Sequence, residues 1–382
     1  MRKDEEAMNS RRWPEMTFWR LVFLVLAATG TVVAVLRFTR GLGATTNLSD
    51  HFPWGLWIGF DVLTGVGLAA GGFTITAVVY LFNLKRFTPI IRPTVLTAFL
   101  GYVFVILALL FDLGQPHRIW HALVMWNPRS VMFEVAWCVM LYTTVLALEF
   151  SPIVFERLRR VIRAIGTPLV IAGVLLSTLH QSSLGSLYLI VPAKLHPLWY
   201  TQFLPLLFFI SAIGAGIGMT IVESHLSGRA FGRRLEMSLL EPLARTMVVV
   251  LGVYGVLRLQ ILYRNGSLSG LLAPGYEEGL FLLEFGLGVV LPVILLAVPR
   301  VRHSEAGIVA GGFLAILGFV LHRLNVSVTG MERAAGVRYL PSWMEVAVSV
   351  GLVAIGFAVF AFAAKYLPIF EEEKGGHPSP AE

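Results

Sequence analysis

Residues 93–112 read PTVLTAFLGYVFVILALLFD, and between Arg92 and Asp112 no side chain carries a charge. As a helix rising 1.5 Å per residue, the run is about 28 Å long, close to the thickness of a bilayer's hydrocarbon core. Its few polar groups, Thr94, Thr97 and Tyr102, are hydroxyls, and a threonine hydroxyl can bond its own helix backbone. The stretch predicts a membrane span. Working outward, apolar runs bounded by charges, Pro or Gly recur at about 18–37, 54–82, 93–111, 131–150, 165–181, 200–222, 243–262, 279–298, 306–322 and 345–366.

Composition agrees with that pattern. Of 382 residues, 56% are hydrophobic and 14% charged, where a soluble domain carries roughly a quarter charged residues. The connections are too short for an aqueous domain, so residues 18–366 are expected to form a single polytopic membrane domain between tails 1–17 and 367–382. The first tail carries Arg2, Lys3, Arg11 and Arg12, as a signal-peptide or twin-arginine leader would. The run from Phe18 to Val35, however, is longer than a signal core and lacks a clear small-residue cleavage site, which predicts a retained anchor.

The net charge of +7 is distributed by side rather than gathered into a nucleic-acid patch. With ten spans and the N-terminus on face one, 20 of the 30 Lys and Arg fall on that face. The positive-inside rule then makes both termini cytoplasmic. The single cysteine, Cys138, can form no internal disulfide and cannot supply the four thiolates of an iron–sulfur cluster. A cluster serving this chain belongs to another subunit.

A charged side chain within the bilayer costs about 2.5–3.5 kcal/mol even on the lenient insertion scale, so each needs a reason. Asp61, Asp112, Glu134 and Glu284, with Arg258 and His322, all fall toward face two under the ten-span reading. On the same face lie His51-Phe-Pro-Trp54-Gly55, Asp112-Leu-Gly-Gln-Pro-His117-Arg118, His180 to Leu187 and His196-Pro-Leu-Trp199. Any one Trp reads as part of an interfacial aromatic belt, but the set reads as a polar pocket opening outward. On the other side, Tyr102, Thr143, Thr144 and Glu149 suggest a proton route from Glu149 past Tyr102 toward Glu134. The opposing reading has each Thr bonded to its own helix and Glu149 at the headgroups.

Haem b requires facing histidines at matched depth, and only His180 and His322 are placed to pair, so the sequence argues against haem. No metal site is expected. His51 to Trp54 and His196 to Trp199, with Glu134 and Glu284, hint at two four-helix units in parallel with two extra helices. The fold class is an all-α membrane protein of about ten helices. An ion-coupled secondary transporter, with a kink between Gly65 and Gly72, and a purely structural anchor remain open at this level.

The chain also resembles a known family, the NrfD/PsrC-type integral membrane subunits, and most of all their HybB-type member from nickel–iron hydrogenase. The likeness is carried by Arg40-Gly-Leu-Gly-Ala-Thr-Thr-Asn47, His51 to Asp61 (HFPWGLWIGFD), Gly71-Gly72, Phe133-Glu134 and Leu148-Glu149-Phe150-Ser-Pro152. His180 to Leu187, His196 to Trp199 and Tyr339-Leu-Pro-Ser-Trp343-Met-Glu345 extend it nearly to the end. It is dense over 37–200 and sparser afterward, and the Gln-Pro-His segment after Asp112 departs from the hydrogenase pattern.

The resemblance implies a haem-free, quinone-reactive subunit in a bacterial inner membrane. Electrons would be exchanged between a periplasmic ferredoxin-like iron–sulfur subunit, fed by a catalytic subunit such as a nickel–iron hydrogenase, and menaquinone. Related sulfur-pathway and other quinone oxidoreductase complexes fit the same pattern. Asp61, Glu134, His180 and Tyr102 match family positions. Quinone reduction needs two protons as charge develops on the two oxygens. His180 would donate to one carbonyl, Glu134 or Asp61 would deliver protons, and Trp54 and Trp57, with Asp112 close by, would hold the ring. The opposing reading of Asp61 is a structural ion pair with Arg258 or another base at a span end.

Overall fold

The computed structural model describes residues 17–191, 193–232, 236–271 and 275–370. The expected tails therefore lie largely outside the described residues. Among the described residues, ten helices are long and apolar enough to cross a membrane: α1 (Phe18–Arg40), α2 (Trp57–Tyr80), α3 (Lys85–Asp112), α4 (Val131–Val154), α5 (Gly166–Leu187), α6 (Leu204–Phe231), α7 (Met237–Arg264), α8 (Tyr276–Ala297), α9 (Glu305–Ala335) and α10 (Trp343–Tyr366). No strand forms among the described residues; a lone bridge joins Ser49 and Phe52.

Helix ends follow local chemistry. Thr17, Ser130 and Ser342 cap α1, α4 and α10 by accepting a backbone N–H, and Glu345 completes a capping box with Ser342. Gly232 ends α6 in the left-handed conformation, where a side chain would be strained.

Two differences from the sequence reading matter for function. His180 to Leu187, expected as a connection, forms the last two turns of α5. The ninth span runs thirteen residues beyond the expected end at His322, to Ala335. In both places hydroxyls bond the helix's own carbonyls: Ser182 to Thr178, Ser183 to His180 and Ser327 to Arg323, at 2.9, 3.0 and 2.9 Å. A polar run can thus remain helical in a membrane because its polar groups are satisfied locally.

Helices α2–α5 pack as one four-helix ring and α6–α9 as another, while α1 and α10 pair and lean on α3. The two halves meet where α5 packs along α6 and where α2 crosses α6. A Cβ on Gly216 would lie 2.5 Å from the Gly71 nitrogen and 2.7 Å from the Ala70 carbonyl carbon, so the backbones touch there. Three stretches are wound with wider π turns: Trp57–Thr64 in α2, Gly286–Val290 in α8 and Asn325–Thr329 in α9. Each holds or adjoins a buried polar residue, namely Asp61, Glu284 and Asn325.

Gly216→Val should force the two halves apart and cost about 1–3 kcal/mol, as overpacking does. Gly252→Val, whose added Cβ meets nothing within 4 Å, should be neutral. Thermal unfolding in detergent separates the two, and an unchanged Tm for Gly216→Val would overturn the crossing.

Candidate functional site

The six intramembrane polar residues share the half of the molecule near face two, the side of the 41–56 connection, but they do not share one pocket. The buried groups form three clusters: Asp61 and Asp112 lie in the first, the second is built on Tyr102 and His180, and Arg258, Glu284 and His322 lie in the third, while Glu134 belongs to none.

The first is built on the outer ends of α1, α2, α3 and α10. Arg37 donates to the carbonyls of Phe111 (2.8 Å) and Leu113 (2.6 Å), pinning α1 to the end of α3. Asp61 is buried and accepts from Ser349 at 2.5 Å, so the ion pair with Arg258 considered above does not form. Asp112 lies within electrostatic reach of Arg37, Asp61, Glu345, Tyr188 and Tyr339. Glu345 ties this end together. One carboxylate oxygen accepts from the backbone N–H groups of Asn47 (2.9 Å) and Ser342 (2.8 Å), and the other accepts from the Tyr339 hydroxyl. The Glu345 carbonyl accepts from Trp57 Nε1 at 3.1 Å. Burial and the adjacent Glu345 carboxylate push the Tyr339 phenol above its ordinary pKa, so it remains a donor. Trp54 stands edge-on to Tyr188, ring centres 5.6 Å apart. Among the described residues, neither buried Asp112 Oδ1 nor the buried Tyr188 hydroxyl, which faces Ser327, has a hydrogen-bond partner.

The second group fills the interior of the α2–α5 ring. The Tyr102 hydroxyl and His180 Nδ1 are hydrogen-bonded at 2.8 Å, and both residues are fully buried. Tyr142 packs edge-on against Tyr102 at 4.7 Å between ring centres. Ser177, one turn before His180, faces both phenols. Glu149 lies two turns beyond Tyr142 on the same face of α4, within its electrostatic reach, and its carboxylate is half-buried beside Gly173. Gln181 donates to the Val66 carbonyl at 3.0 Å. Among the described residues, His180 Nε2, Gln181 Oε1 and Ser177 Oγ have no hydrogen-bond partner. Thr143 and Thr144, in contrast, bond the carbonyls of Val139 and Met140 in their own helix and do not face this chain.

The third group belongs to the α6–α9 ring. Glu284 accepts from Trp199 Nε1 (3.1 Å) and Asn325 Nδ2 (2.5 Å), with Arg258 at 3.9 Å. Arg323 donates to His322 Nδ1 (2.9 Å), the Phe208 carbonyl (3.1 Å) and Ser211 Oγ (3.1 Å), its guanidinium 3.5 Å from the Phe208 ring centre. Tyr254 stands edge-on to His322 as Tyr102 leans on His180. His180 and His322 are therefore each engaged at Nδ1 in separate halves of the molecule.

Glu134 stands apart. It lies on the same face of α4 as Cys138, but in the first turn, beyond the packed part of the ring, and its side chain is exposed. Four residues of the first two groups were not anticipated from sequence. Tyr142 had a signal in its seven-residue spacing from Glu149, and Ser177 in its position one turn before His180. Ser349 and Tyr188 had none, because their partners are distant in sequence. A fifth, Glu223, is buried beside Ser227; the sequence boundary at 222 had placed it just outside its span. Among the described residues no three His, Cys, Asp or Glu gather as a metal site would require.

Fold and buried groups together define a multi-pass helical membrane protein with titratable side chains stacked through one half. The chain belongs to the NrfD family, described as "Polysulphide reductase, NrfD", which matches residues 44–335. A protein of Nitratidesulfovibrio vulgaris is 41% identical over 373 residues, covering 94% of this chain and 95% of its own length. The probable Ni/Fe-hydrogenase 2 b-type cytochrome subunit of Escherichia coli is 33% identical, covering 93% of this chain and 92% of that one. The integral membrane subunit of a menaquinone reductase from Nitratidesulfovibrio vulgaris is 30% identical with the same coverage.

The two halves should respond differently to mutation. Glu284→Ala strands Arg258, Trp199 and Asn325, and breaking such a buried pair costs about 3–5 kcal/mol. Tyr102→Phe removes one hydrogen bond and should cost about 1 kcal/mol. Denaturant unfolding in detergent measures both, and equal losses would refute the contrast.

Proposed function

We propose that this chain is the quinone-reactive subunit of a respiratory oxidoreductase, exchanging electrons between a periplasmic iron–sulfur partner and menaquinone without haem of its own. Family membership and the names of the hydrogenase and menaquinone-reductase relatives support the class. The observation that carries the reading is the series Glu149, Tyr142, Ser177, Tyr102 and His180, which runs from the face-one end of α4 to an unpartnered imidazole nitrogen in the other half.

The substrate ring fits the face-two end of this series. A quinone presents two carbonyl acceptors, which become hydroxyl donors once reduced. The buried polar atoms free to meet them among the described residues are His180 Nε2, the Tyr188 hydroxyl and Asp112 Oδ1, with Trp54 beside Tyr188 supplying an aromatic wall, whereas Trp57 packs between Val33, Phe111 and Val348 and acts only as a support. His180 holds or gives a proton at Nε2, and Tyr102 fixes the ring through Nδ1. Asp61 and Asp112 exchange protons with the other oxygen. Exposed Glu134 exchanges protons with water at face two. Protons drawn through Glu149 cross most of the membrane, so turnover separates charge, and both termini lie in the cytoplasm. A single cysteine leaves the iron–sulfur clusters to the partner.

In the complex purified from its own membrane, Glu149→Gln, Tyr102→Phe and His180→Ala should each slow quinone-linked turnover by about tenfold or more. The soluble half-reaction of the catalytic subunit should survive, and no haem bands should appear. Wild-type quinone rates in all three variants would refute the proton series. In proteoliposomes, Glu149→Gln should abolish the membrane potential formed per turnover, whereas Glu134→Gln should leave it intact.

A further inference from the structure

A cavity of about 310 Å³ lies outside both rings, walled by α2, α3, α6 and α10. It runs from Asp61 in the face-two half to Phe231 and Ala361 near the face-one ends. Its walls are apolar side chains such as Leu68, Leu100, Phe104 and Met219. Most of its polar groups turn toward their own helices: Thr64 donates to the Gly59 carbonyl at 3.0 Å, and Glu223 meets Ser227 one turn along α6. Leu226, Val353 and Phe357 on its lips are 45%, 43% and 46% exposed, so the open side faces lipid. Phe231 and Phe370, ring centres 5.6 Å apart, border its inner end.

Building on the quinone reading above, we infer that this groove holds the isoprenoid tail of the quinone and is its lateral route into the site. Three features select that occupant. The groove is long, narrow and apolar, at the lower end of ligand-pocket volumes, with room for a few isoprene units but not for a two-chain phospholipid. Its upper end is Asp61, about 6 Å below the start of α2; a phospholipid headgroup would not leave the interface for that depth, whereas an uncharged ring with two carbonyls does so readily. Asp61, which lines the upper end of the groove, lies within electrostatic reach of Asp112, one of the groups proposed to meet the ring. The open space comes from small residues. A Cβ added at Gly356 would first meet the Phe104 ring at 3.4 Å, an ordinary contact, so this position can be filled without moving a backbone.

The test uses the purified complex and menaquinone analogues bearing none, two or four isoprene units. Gly356→Leu and Ala230→Trp, at the middle and inner end of the groove, should raise KM at least tenfold for the two tailed analogues. The kcat and KM for the tail-less naphthoquinone should not change in either variant. Equal effects on all three analogues, or none on any, would overturn the groove. Wild-type complex that turns over no quinone at all would instead remove the functional reading on which it rests. A photoreactive farnesyl probe gives a readout independent of turnover. Labelling of peptides spanning 97–104 and 352–361 that is competed by tailed menaquinone supports the inference, and labelling competed only by phospholipid refutes it.

Discussion

The contact on which the arrangement depends is the touching of two backbones at Gly71 and Gly216. Where α2 and α6 cross, neither helix can carry a side chain, and the two four-helix rings are placed against each other by that closeness. In a bilayer there is little hydrophobic gain in bringing helices together, so tight packing of small residues has to hold them. From this crossing outward the halves repeat each other. A Trp lies beyond the ring on each side, Trp54 near Tyr188 and Trp199 on Glu284. A Tyr and a His meet within each ring, Tyr102 with His180 and Tyr254 with His322.

The repetition stops at the residue after each histidine. Gln181 in the first half is neutral and leaves its carbonyl oxygen unpartnered. Arg323 in the second half fills the equivalent space with a guanidinium stacked on Phe208 and bonded to three acceptors. With Arg258 beside Glu284, the second half is a dense network in which most groups bind one another, as low-dielectric interiors require. Among the described residues, the second half leaves nitrogens such as His322 Nε2 and Arg258 Nε unpartnered, whereas the first also leaves the oxygens of Asp112, Ser177, Gln181 and Tyr188 free. A structure that spends one half on mutual satisfaction and leaves the other open to a reactant separates rigidity from chemistry within one duplicated plan.

The spans were legible because a helix crossing hydrocarbon must be apolar for about 20 residues, and charges mark its ends. The same rule misled at His180 to Leu187 and beyond His322, where serines and an asparagine bonded within or between helices allow polar stretches to remain helical. Asp61, Asp112, Tyr102, His180 and Glu149 were legible as residues needing a reason. Their grouping was not. Asp61 meets Ser349, 288 positions away, and spacing along one helix carries no information about that. Glu134 looked like Glu284 in sequence, yet one opens to the surface and the other is buried, because only the packing of neighbouring helices decides how far up a helix burial extends.

Glu345 also has a consequence for how the molecule is made. Its carboxylate bonds the backbone at Asn47, its carbonyl accepts from Trp57, and it stands in the first turn of the last span. Gly30 on α1 presses against Gly351 on α10, an added Cβ falling 2.8 Å from the opposing Cα. α1 and the connection after it therefore gain these partners only once α10, some 300 residues later in the chain, has been made. Until the chain is complete, the acids near Asp61 lack the wall that encloses them. A product ending before α10 would keep both four-helix rings and leave this seam open.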